Sequence, residues 1–162
     1  SDSTRLPEAM HSFYLRNMYQ KNLMRESGGI SMANVPINLG DIDVPTYFLA
    51  TKEDHIAPWP GVYQGMKRFG GESKFVLAAS GHIAGVINPP AAEKYSYWTN
   101  EQNLDEQGDW LESSVEKPGS WWIDWQSWIL SNAGQKVSAR IPGKGNLSSI
   151  EAAPGSYVKV RS

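Results

Sequence analysis

The sequence predicts an α/β fold that is built on a parallel sheet with flanking helices. Two short runs, Val44–Ala50 and Lys74–Ala79, are rich in apolar, β-branched and aromatic residues, a composition typical of buried strands. The stretch between them, Gly61–Phe69, has weak helical character, and a convincing helix, Trp121–Ala133, follows later in the chain. Strands that are separated by helical stretches favour a parallel α/β sheet.

Local signals predict the remaining elements in chain order. The first is a helix over Leu6–Arg25 that stops at Gly28-Gly29, and a polar–apolar alternation over Ile37–Asp43 then leads into a turn. A loop is expected over Thr51–Pro60. The segment Ile83–Gly119 is expected to be mostly irregular, with one short helix near Leu104–Glu116, and the tail from Gln135 has little apolar periodicity. The helix Trp121–Ala133 is expected to stop at Gly134.

The composition fits one folded domain and excludes several classes of protein. The chain has 162 residues, of which 40% are hydrophobic and 20% charged, which suits a packed core and not a disordered chain. The net charge of -2 gives no electrostatic argument for binding nucleic acid. No apolar run approaches the ~20 residues of a transmembrane helix. The absence of cysteine excludes disulfides and thiolate zinc sites, and it favours an intracellular setting.

Two residues of catalytic character follow the two predicted strands. Asp54 comes just after the first strand and His82 just after the second, and functional groups of such sheets gather in the loops at these ends. In α/β-hydrolases a nucleophile is followed along the chain by an acid and then by a histidine. The imidazole takes a proton from the nucleophile, while the carboxylate fixes its tautomer. Gly81 is expected to allow a tight turn before His82. The alternative is that Asp54 is a turn residue and His82 an ordinary loop histidine.

Other residues have weaker claims to a functional site. His55, beside Asp54, and Trp59, which follows the acid loop, are candidates for substrate binding. The alternative for His55 is a surface or supporting histidine, and His11, on the first predicted helix, is expected to be structural.

The tryptophans of the last predicted helix favour packing over ligand binding. Trp121, Trp125 and Trp128 fall on one helical face, which is the pattern of a core-packing stripe. The acidic pairs do not form a metal-ligand pattern with any histidine, and the glycine pairs lack the residues that follow in phosphate-binding loops. We therefore expect neither a metal nor a cofactor.

Two longer motifs are more specific than the strand-and-loop pattern. They are EDHIAPW, from Glu53 to Trp59, and SGHIAGVINPP, from Ser80 to Pro90. Together with FYLRNMYQKNLM, GSWWIDWQSWI and APGSYVKV, they closely resemble the carboxyl-terminal part of the class I polyhydroxyalkanoate (poly-3-hydroxybutyrate) synthases, nearly end to end. The resemblance implies an α/β-hydrolase fold and an acyltransferase activity that polymerises 3-hydroxyacyl-CoA and releases CoA.

The resemblance also implies roles for individual residues. It places the family's catalytic aspartate on Asp54 and its catalytic histidine on His82. The family nucleophile is a cysteine in a G-x-C-x-G elbow, which would lie upstream and outside this chain. Residues 1–162 are then expected to be the carboxyl-terminal portion of one catalytic domain, with the nucleophile-bearing and lid portions before Ser1. Asp54 either orients His82 or helps to activate the hydroxyl of the incoming monomer.

The implied partners are a 3-hydroxyacyl-CoA, with 3-hydroxybutyryl-CoA favoured, the growing polyester chain with its granule, and the remainder of the synthase chain. A homodimer is compatible with the resemblance, whereas nucleic acid and a membrane-spanning segment are not expected. The implied location is the cytoplasm, at the granule surface.

Two other functions stay open from the residues alone. The chain could be the carboxyl-terminal half of a serine esterase or lipase, because the acid and histidine loops alone allow that function. It could also be a non-catalytic, granule-binding fragment. The residue in the upstream elbow, cysteine or serine, discriminates a synthase from an esterase.

Overall fold

A computed structural model describes residues 5–102 and 104–160. Its main helices and strands are α1 (Glu8–Tyr14), β1 (Ile30–Met32), β2 (Val35–Ile37), β3 (Thr46–Thr51), α2 (Trp59–Met66), β4 (Ser73–Ala78), β5 (Ser96–Thr99), α3 (Gln107–Glu112), β6 (Val115–Pro118) and α4 (Trp122–Asn132). Within the described ranges, no helix reaches the length and apolar content of a membrane-spanning segment.

The central sheet has four strands in the order β3-β4-β5-β6. β3 and β4 are parallel, with Thr46 opposite Ser73 and Thr51 opposite Ala78. β5 is antiparallel to β4, and β6 is antiparallel to β5. The α/β class is therefore confirmed, but the prediction of a parallel sheet is right only for β3 and β4, because the sheet is mixed.

β5 and β6 both lie in the segment Ile83–Gly119, for which the sequence predicts mostly irregular structure. Each strand has only four residues, and β6 is exposed at three of its four positions. Neither strand therefore has the long apolar run that predicts β3 and β4. The short helix predicted near Leu104–Glu116 is present as the shorter α3.

Residues pack on both faces of the sheet at β3 and β4, which explains the apolar runs of these two strands. The core on one face draws on β3, β4, α2 and α3, and its buried members are Ala50, Tyr63, Met66, Phe75, Leu77 and Trp110. The smaller cluster on the other face consists of Val76, Ala78 and Tyr97, with Trp121 packed against it. The loops that leave β3 and β4 therefore start from the best-packed part of the protein.

The amino-terminal segment differs from the single helix predicted over Leu6–Arg25. α1 continues as a π-helical stretch, Leu15–Gln20, and the backbone then turns at Asn22, whose φ of 49° is left-handed. α1 has no buried residue, so no packing enforces one regular helix over this length. The hairpin of β1 and β2 was also not expected. Its turn residues Ala33 and Asn34 have φ values of 49° and 65°, as a type I′ turn requires.

The described residues from Ala133 onward form a unit of their own. Nearly all of them are exposed, and Tyr157–Lys159 forms a short 3-10 turn. Within this unit, one carboxylate oxygen of Glu151 accepts hydrogen bonds from the amide and the hydroxyl of Ser156, at 2.8 and 3.0 Å. The prediction of little apolar periodicity from Gln135 agrees with this exposure.

Candidate active site

The loops after β3 and β4 meet at one edge of the sheet. Asp54 lies three residues beyond the end of β3, and His82 lies four residues beyond the end of β4. Because these strands are parallel, their carboxyl ends lie side by side. Backbone hydrogen bonds extend the pairing past the strands: Lys52 N–H donates to the Ala78 carbonyl at 2.8 Å, and Glu53 N–H donates to the Ser80 carbonyl at 3.0 Å.

Asp54 and His82 are in direct contact, as the sequence predicts. Asp54 Oδ2 lies 2.8 Å from His82 Nδ1, although 28 residues separate the two along the chain. Asp54 Oδ1 accepts hydrogen bonds from the amides of Ile56 and Ala57, at 2.8 and 3.0 Å. The Asp54 side chain is only 8% exposed, whereas that of His82 is 47% exposed. The carboxylate is thus held inside the loop while much of the imidazole is open to solvent.

These hydrogen bonds stabilise the ionised form of Asp54. The Ala57 amide contributes most, followed by the His82 ring, and together they lower the pKa of Asp54 from 3.8 to about 2. A carboxylate can only accept hydrogen bonds, so the proton in the contact must reside on His82 Nδ1. In the neutral imidazole, Nε2 is then the unprotonated nitrogen that can take a proton from another group.

The turn before His82 does not use Gly81 in the expected way. The left-handed residue is Ser80, with a φ of 73°, whereas Gly81 is not among the residues with positive φ. A Cβ on Gly81 would be in ordinary contact, 3.8 Å from the Glu53 carbonyl oxygen. The prediction that the turn before His82 depends on the freedom of a glycine at position 81 is therefore wrong. The left-handed backbone conformation lies one residue earlier, at Ser80.

A second glycine, Gly85, holds the histidine loop close to the end of β3. A Cβ on this buried residue would lie 2.5 Å from Thr51 Cγ2 and 2.5 Å from the Ala79 carbonyl oxygen, which are impossible contacts. Gly85 N–H donates to the Gly81 carbonyl at 3.0 Å, closing one turn around His82. Sequence reasoning missed this glycine because its requirement arises from packing between two loops.

Two tryptophans at the start of α4 bind the same loop. Trp121 Nε1 donates to the carbonyls of Gly85 and Val86, at 3.1 and 3.2 Å, and Trp122 Nε1 donates to the Val86 carbonyl at 3.0 Å. The aromatic stripe predicted on this helix is only partly a packing face, because Trp125 remains 41% exposed. Trp121 packs against the core through Tyr47, with ring centroids 6.2 Å apart.

The two residues predicted to bind substrate occupy different surroundings. His55 is exposed in the acid loop, next to Asp54. Trp59 is the first residue of α2, and its half-buried ring lies against Phe75, with centroids 6.4 Å apart. The position of Trp59 is explained by core packing alone, and a substrate role for either residue stays a prediction.

The fold and the site together define a mixed α/β protein with a buried carboxylate that orients a half-exposed imidazole. Such a pair can act as a general base toward a nucleophile. This chain contains no cysteine, so a thiol nucleophile would have to come from residues outside this chain.

Comparison with known proteins identifies the relatives of the chain. It is 52% identical over 161 residues to the poly(3-hydroxyalkanoate) polymerase subunit PhaC of Rhizobium meliloti, with 99% of this chain and 26% of the relative covered. It is 44% identical to the protein of that name from Cupriavidus necator, and 35% identical to poly(3-hydroxyalkanoate) polymerase 1 of Ectopseudomonas oleovorans, which cover 99% of this chain and 27% and 29% of those relatives. No protein-family model matches the sequence.

The chain is thus homologous over its whole length to part of the poly(3-hydroxyalkanoate) polymerases, which confirms the resemblance found in its motifs. It spans only about a quarter of the length of these relatives.

Proposed function

We propose that this chain is the carboxyl-terminal portion of an α/β-hydrolase-fold polymerase domain, in which Asp54 and His82 are the catalytic acid and base. The contact of 2.8 Å between Asp54 Oδ2 and His82 Nδ1 carries the proposal. It occurs in the loops where such folds hold their acid and histidine, in a chain whose relatives are named poly(3-hydroxyalkanoate) polymerases. The reaction is the polymerisation of a 3-hydroxyacyl-CoA, with 3-hydroxybutyryl-CoA as the favoured substrate.

In the first step, His82 Nε2 takes the proton from a cysteine thiol that the upstream part of the polymerase supplies. The thiolate attacks the thioester carbonyl of the substrate and forms a carbon–sulfur bond. The bond from the carbonyl carbon to the CoA sulfur then breaks, and CoA leaves with the proton from the imidazolium. The product is an acyl-enzyme, and the imidazole is again neutral.

In the second step, the 3-hydroxyl of another 3-hydroxyacyl group gives its proton to His82 Nε2 and attacks the acyl-enzyme carbonyl. An ester bond forms, the bond from the carbonyl carbon to the cysteine sulfur breaks, and the released thiolate takes the proton back from the imidazolium. The contacts of Asp54 favour an orienting role, because its Oδ1 accepts two amide hydrogen bonds and its Oδ2 contacts the ring. A carboxylate that is 8% exposed has little free surface with which to reach the substrate hydroxyl. His82 Nε2 is therefore the base in both steps of the proposal.

The surroundings of His82 suit an apolar acyl chain. Ile56 on the acid loop and Ile83 and Ile87 on the histidine loop are 65%, 71% and 65% exposed. Exposed apolar side chains on both loops can contribute to the binding of a hydrocarbon-rich substrate. The proposal includes the growing polyester as the chain that occupies this region, and a location in the cytoplasm at the granule surface.

Trapping the acyl-enzyme tests this proposal. The complete polymerase chain is mixed with 3-hydroxybutyryl-CoA, the released CoA is measured, and the acylated peptide is identified by mass spectrometry. The proposal expects release of CoA and an acyl group on a cysteine upstream of this segment. An acyl group on a serine would support an esterase instead, and absence of both CoA release and acylation would support a non-catalytic fragment.

A further inference from the structure

We propose that Trp121 and Trp122 are positioning residues that fix the direction of His82 Nε2 through the backbone of the histidine loop. The inference rests on the proposed function, because it concerns how the proposed base is aimed. Neither indole reaches the catalytic pair in the hydrogen bonds described above. Trp121 donates to the carbonyls of Gly85 and Val86, three and four residues after His82, and Trp122 donates to the Val86 carbonyl alone.

The imidazole depends on such support because its own contacts do little to fix its direction. Among the described residues, the His82 side chain makes one hydrogen bond, to Asp54. Its side chain is 47% exposed. A single hydrogen bond fixes one ring nitrogen but allows the ring to pivot about it. The direction of Nε2 therefore depends on where the loop holds the His82 backbone.

The tryptophans join that loop to the core through contacts separate from the contact of Gly85 with Thr51. Trp121 packs on the cluster that contains Val76 and Ala78, the residues of β4 that lead into the histidine loop. The backbone N–H of Trp122 donates to Ser120 Oγ at 3.1 Å, and this hydrogen bond caps the start of α4. The loop is thus in contact with both the end of β3 and the start of α4.

Asp124 fixes the helix that carries both indoles. Its Oδ1 accepts the hydroxyl hydrogen of Tyr47 at 3.0 Å and lies 2.8 Å from Lys74 Nζ. Because Tyr47 lies on β3 and Lys74 on β4, α4 is joined to the two strands that carry the catalytic loops. A change in the position of α4 would therefore move the indole donors relative to His82.

The hydrogen bonds predict unequal effects of the two tryptophans. The Gly85 carbonyl accepts from Trp121, whereas the Val86 carbonyl accepts from both indoles. Trp121→Phe removes the one N–H that the Gly85 and Val86 carbonyls share, and so removes the indole donor to Gly85, while Trp122→Phe leaves both carbonyls with the Trp121 donor. We expect the loss of activity to rank Trp121→Phe above Trp122→Phe, with the double variant affected most.

The test measures CoA release from 3-hydroxybutyryl-CoA by the complete polymerase. We expect kcat to fall about 10-fold in Trp121→Phe and about 100-fold in the double variant, because displacements of about 1 Å at a reacting group have effects of this size. KM should stay within about twofold, since the substrate contacts are not changed. The control is Trp125→Phe, in the same helix; within the described residues its indole donates no hydrogen bond to this loop. Its ring packs edge-on against that of Trp121, with centroids 6.1 Å apart, so this variant tests packing without loss of a loop hydrogen bond. The kcat and KM of this control should match those of the wild type.

A second variant separates the hydrogen bond from packing. At position 121, benzothienylalanine replaces the indole N–H with sulfur and keeps the shape of the ring, so folding is preserved. It should reproduce the kcat loss of Trp121→Phe, with a smaller fall in melting temperature than that variant shows, because the packing of the ring is kept. A kcat equal to that of Trp125→Phe would overturn the inference. If His82→Ala also kept full activity, the proposed function would fail instead, so the two failures are distinguishable.

Discussion

Gly85 lies against Thr51 so closely that any side chain at position 85 would overlap the Thr51 methyl group. A Cβ there would be 2.5 Å from Thr51 Cγ2 and 3.0 Å from Thr51 Cβ. The two residues belong to the histidine loop and to the end of β3, which carries the acid loop. Their contact therefore sets the separation of the two loops that bring Asp54 and His82 together.

Gly85→Ala is expected to destabilise the fold by about 1–3 kcal/mol, the usual cost of overpacking a filled interior. Gly81→Ala is the matched control, because its Cβ would meet its nearest neighbour at 3.8 Å. It should change stability by no more than about 0.5 kcal/mol. Urea unfolding of both variants measures the difference. Equal stability of the two would contradict the close contact at Gly85.

Asp54 should contribute stability that depends on pH. Its folded pKa of about 2 lies below its ordinary value of 3.8, so the stability that ionised Asp54 contributes is fully present only above about pH 5. This contribution is lost as the pH falls toward 2. Asp54→Asn cannot ionise, so the stability difference between wild type and variant should shrink between about pH 5 and pH 2. Unfolding titrations over this range measure it, and a difference that is constant with pH would argue against the assignment.

Asp124 should be important for stability because it joins α4 to the sheet. Its side chain is 10% exposed, and it contacts the Tyr47 hydroxyl at 3.0 Å and Lys74 Nζ at 2.8 Å. Asp124→Ala should cost about 2 kcal/mol, since hydrogen bonds to charged groups contribute about 1.5–3 kcal/mol. Asp105, whose side chain is 98% exposed in its ion pair, is the control and should cost about 0.5 kcal/mol or less when changed to alanine. Thermal unfolding that ranks the two variants equally would contradict the buried role of Asp124.

The hydroxyl of Thr51 is buried and has no hydrogen-bond partner among the described residues. Thr51→Val should therefore raise the free energy of unfolding by about 1 kcal/mol, because it removes an unpaired polar group and keeps the shape. Thr46→Val is the control, and it should lower the free energy of unfolding, because the Thr46 hydroxyl donates to the Val44 carbonyl at 3.0 Å. A loss of stability in Thr51→Val would show that its hydroxyl is hydrogen-bonded in solution.

The strands that carry the site could be predicted because burial on both faces gives them continuous apolar sequence. The start of β3 was predicted two residues too early, at Val44 rather than Thr46. Pro45 explains the difference, because a proline has no N–H to donate to a neighbouring strand. Thr46 N–H is the donor that begins the pairing, to the Glu72 carbonyl at 2.9 Å.

The contact between Asp54 and His82 could be predicted for a topological reason. Parallel neighbours bring the residues after their carboxyl ends together, whatever the distance along the chain. The prediction of proximity is confirmed by the 2.8 Å contact, while the catalytic role of the pair stays a proposal.

The supports of the histidine loop could not be predicted from the sequence. Trp121 and Trp122 lie 35 or 36 residues from the carbonyls that they bind, and a backbone carbonyl carries no residue-specific signal. The spacing of the tryptophans gave a helical face, but it did not show which indole N–H groups would find a partner. Gly85 was missed for a related reason, since its close neighbours come from other segments of the chain.

Replacing His82 tests the central claim most directly. In the complete polymerase chain, His82→Ala should lower CoA release from 3-hydroxybutyryl-CoA by at least about 100-fold, because a general base contributes about 100- to 10000-fold to a rate. His11→Ala is the matched control, since His11 is an exposed residue of α1, and it should keep wild-type turnover. Turnover of His82→Ala equal to that of His11→Ala would contradict the account.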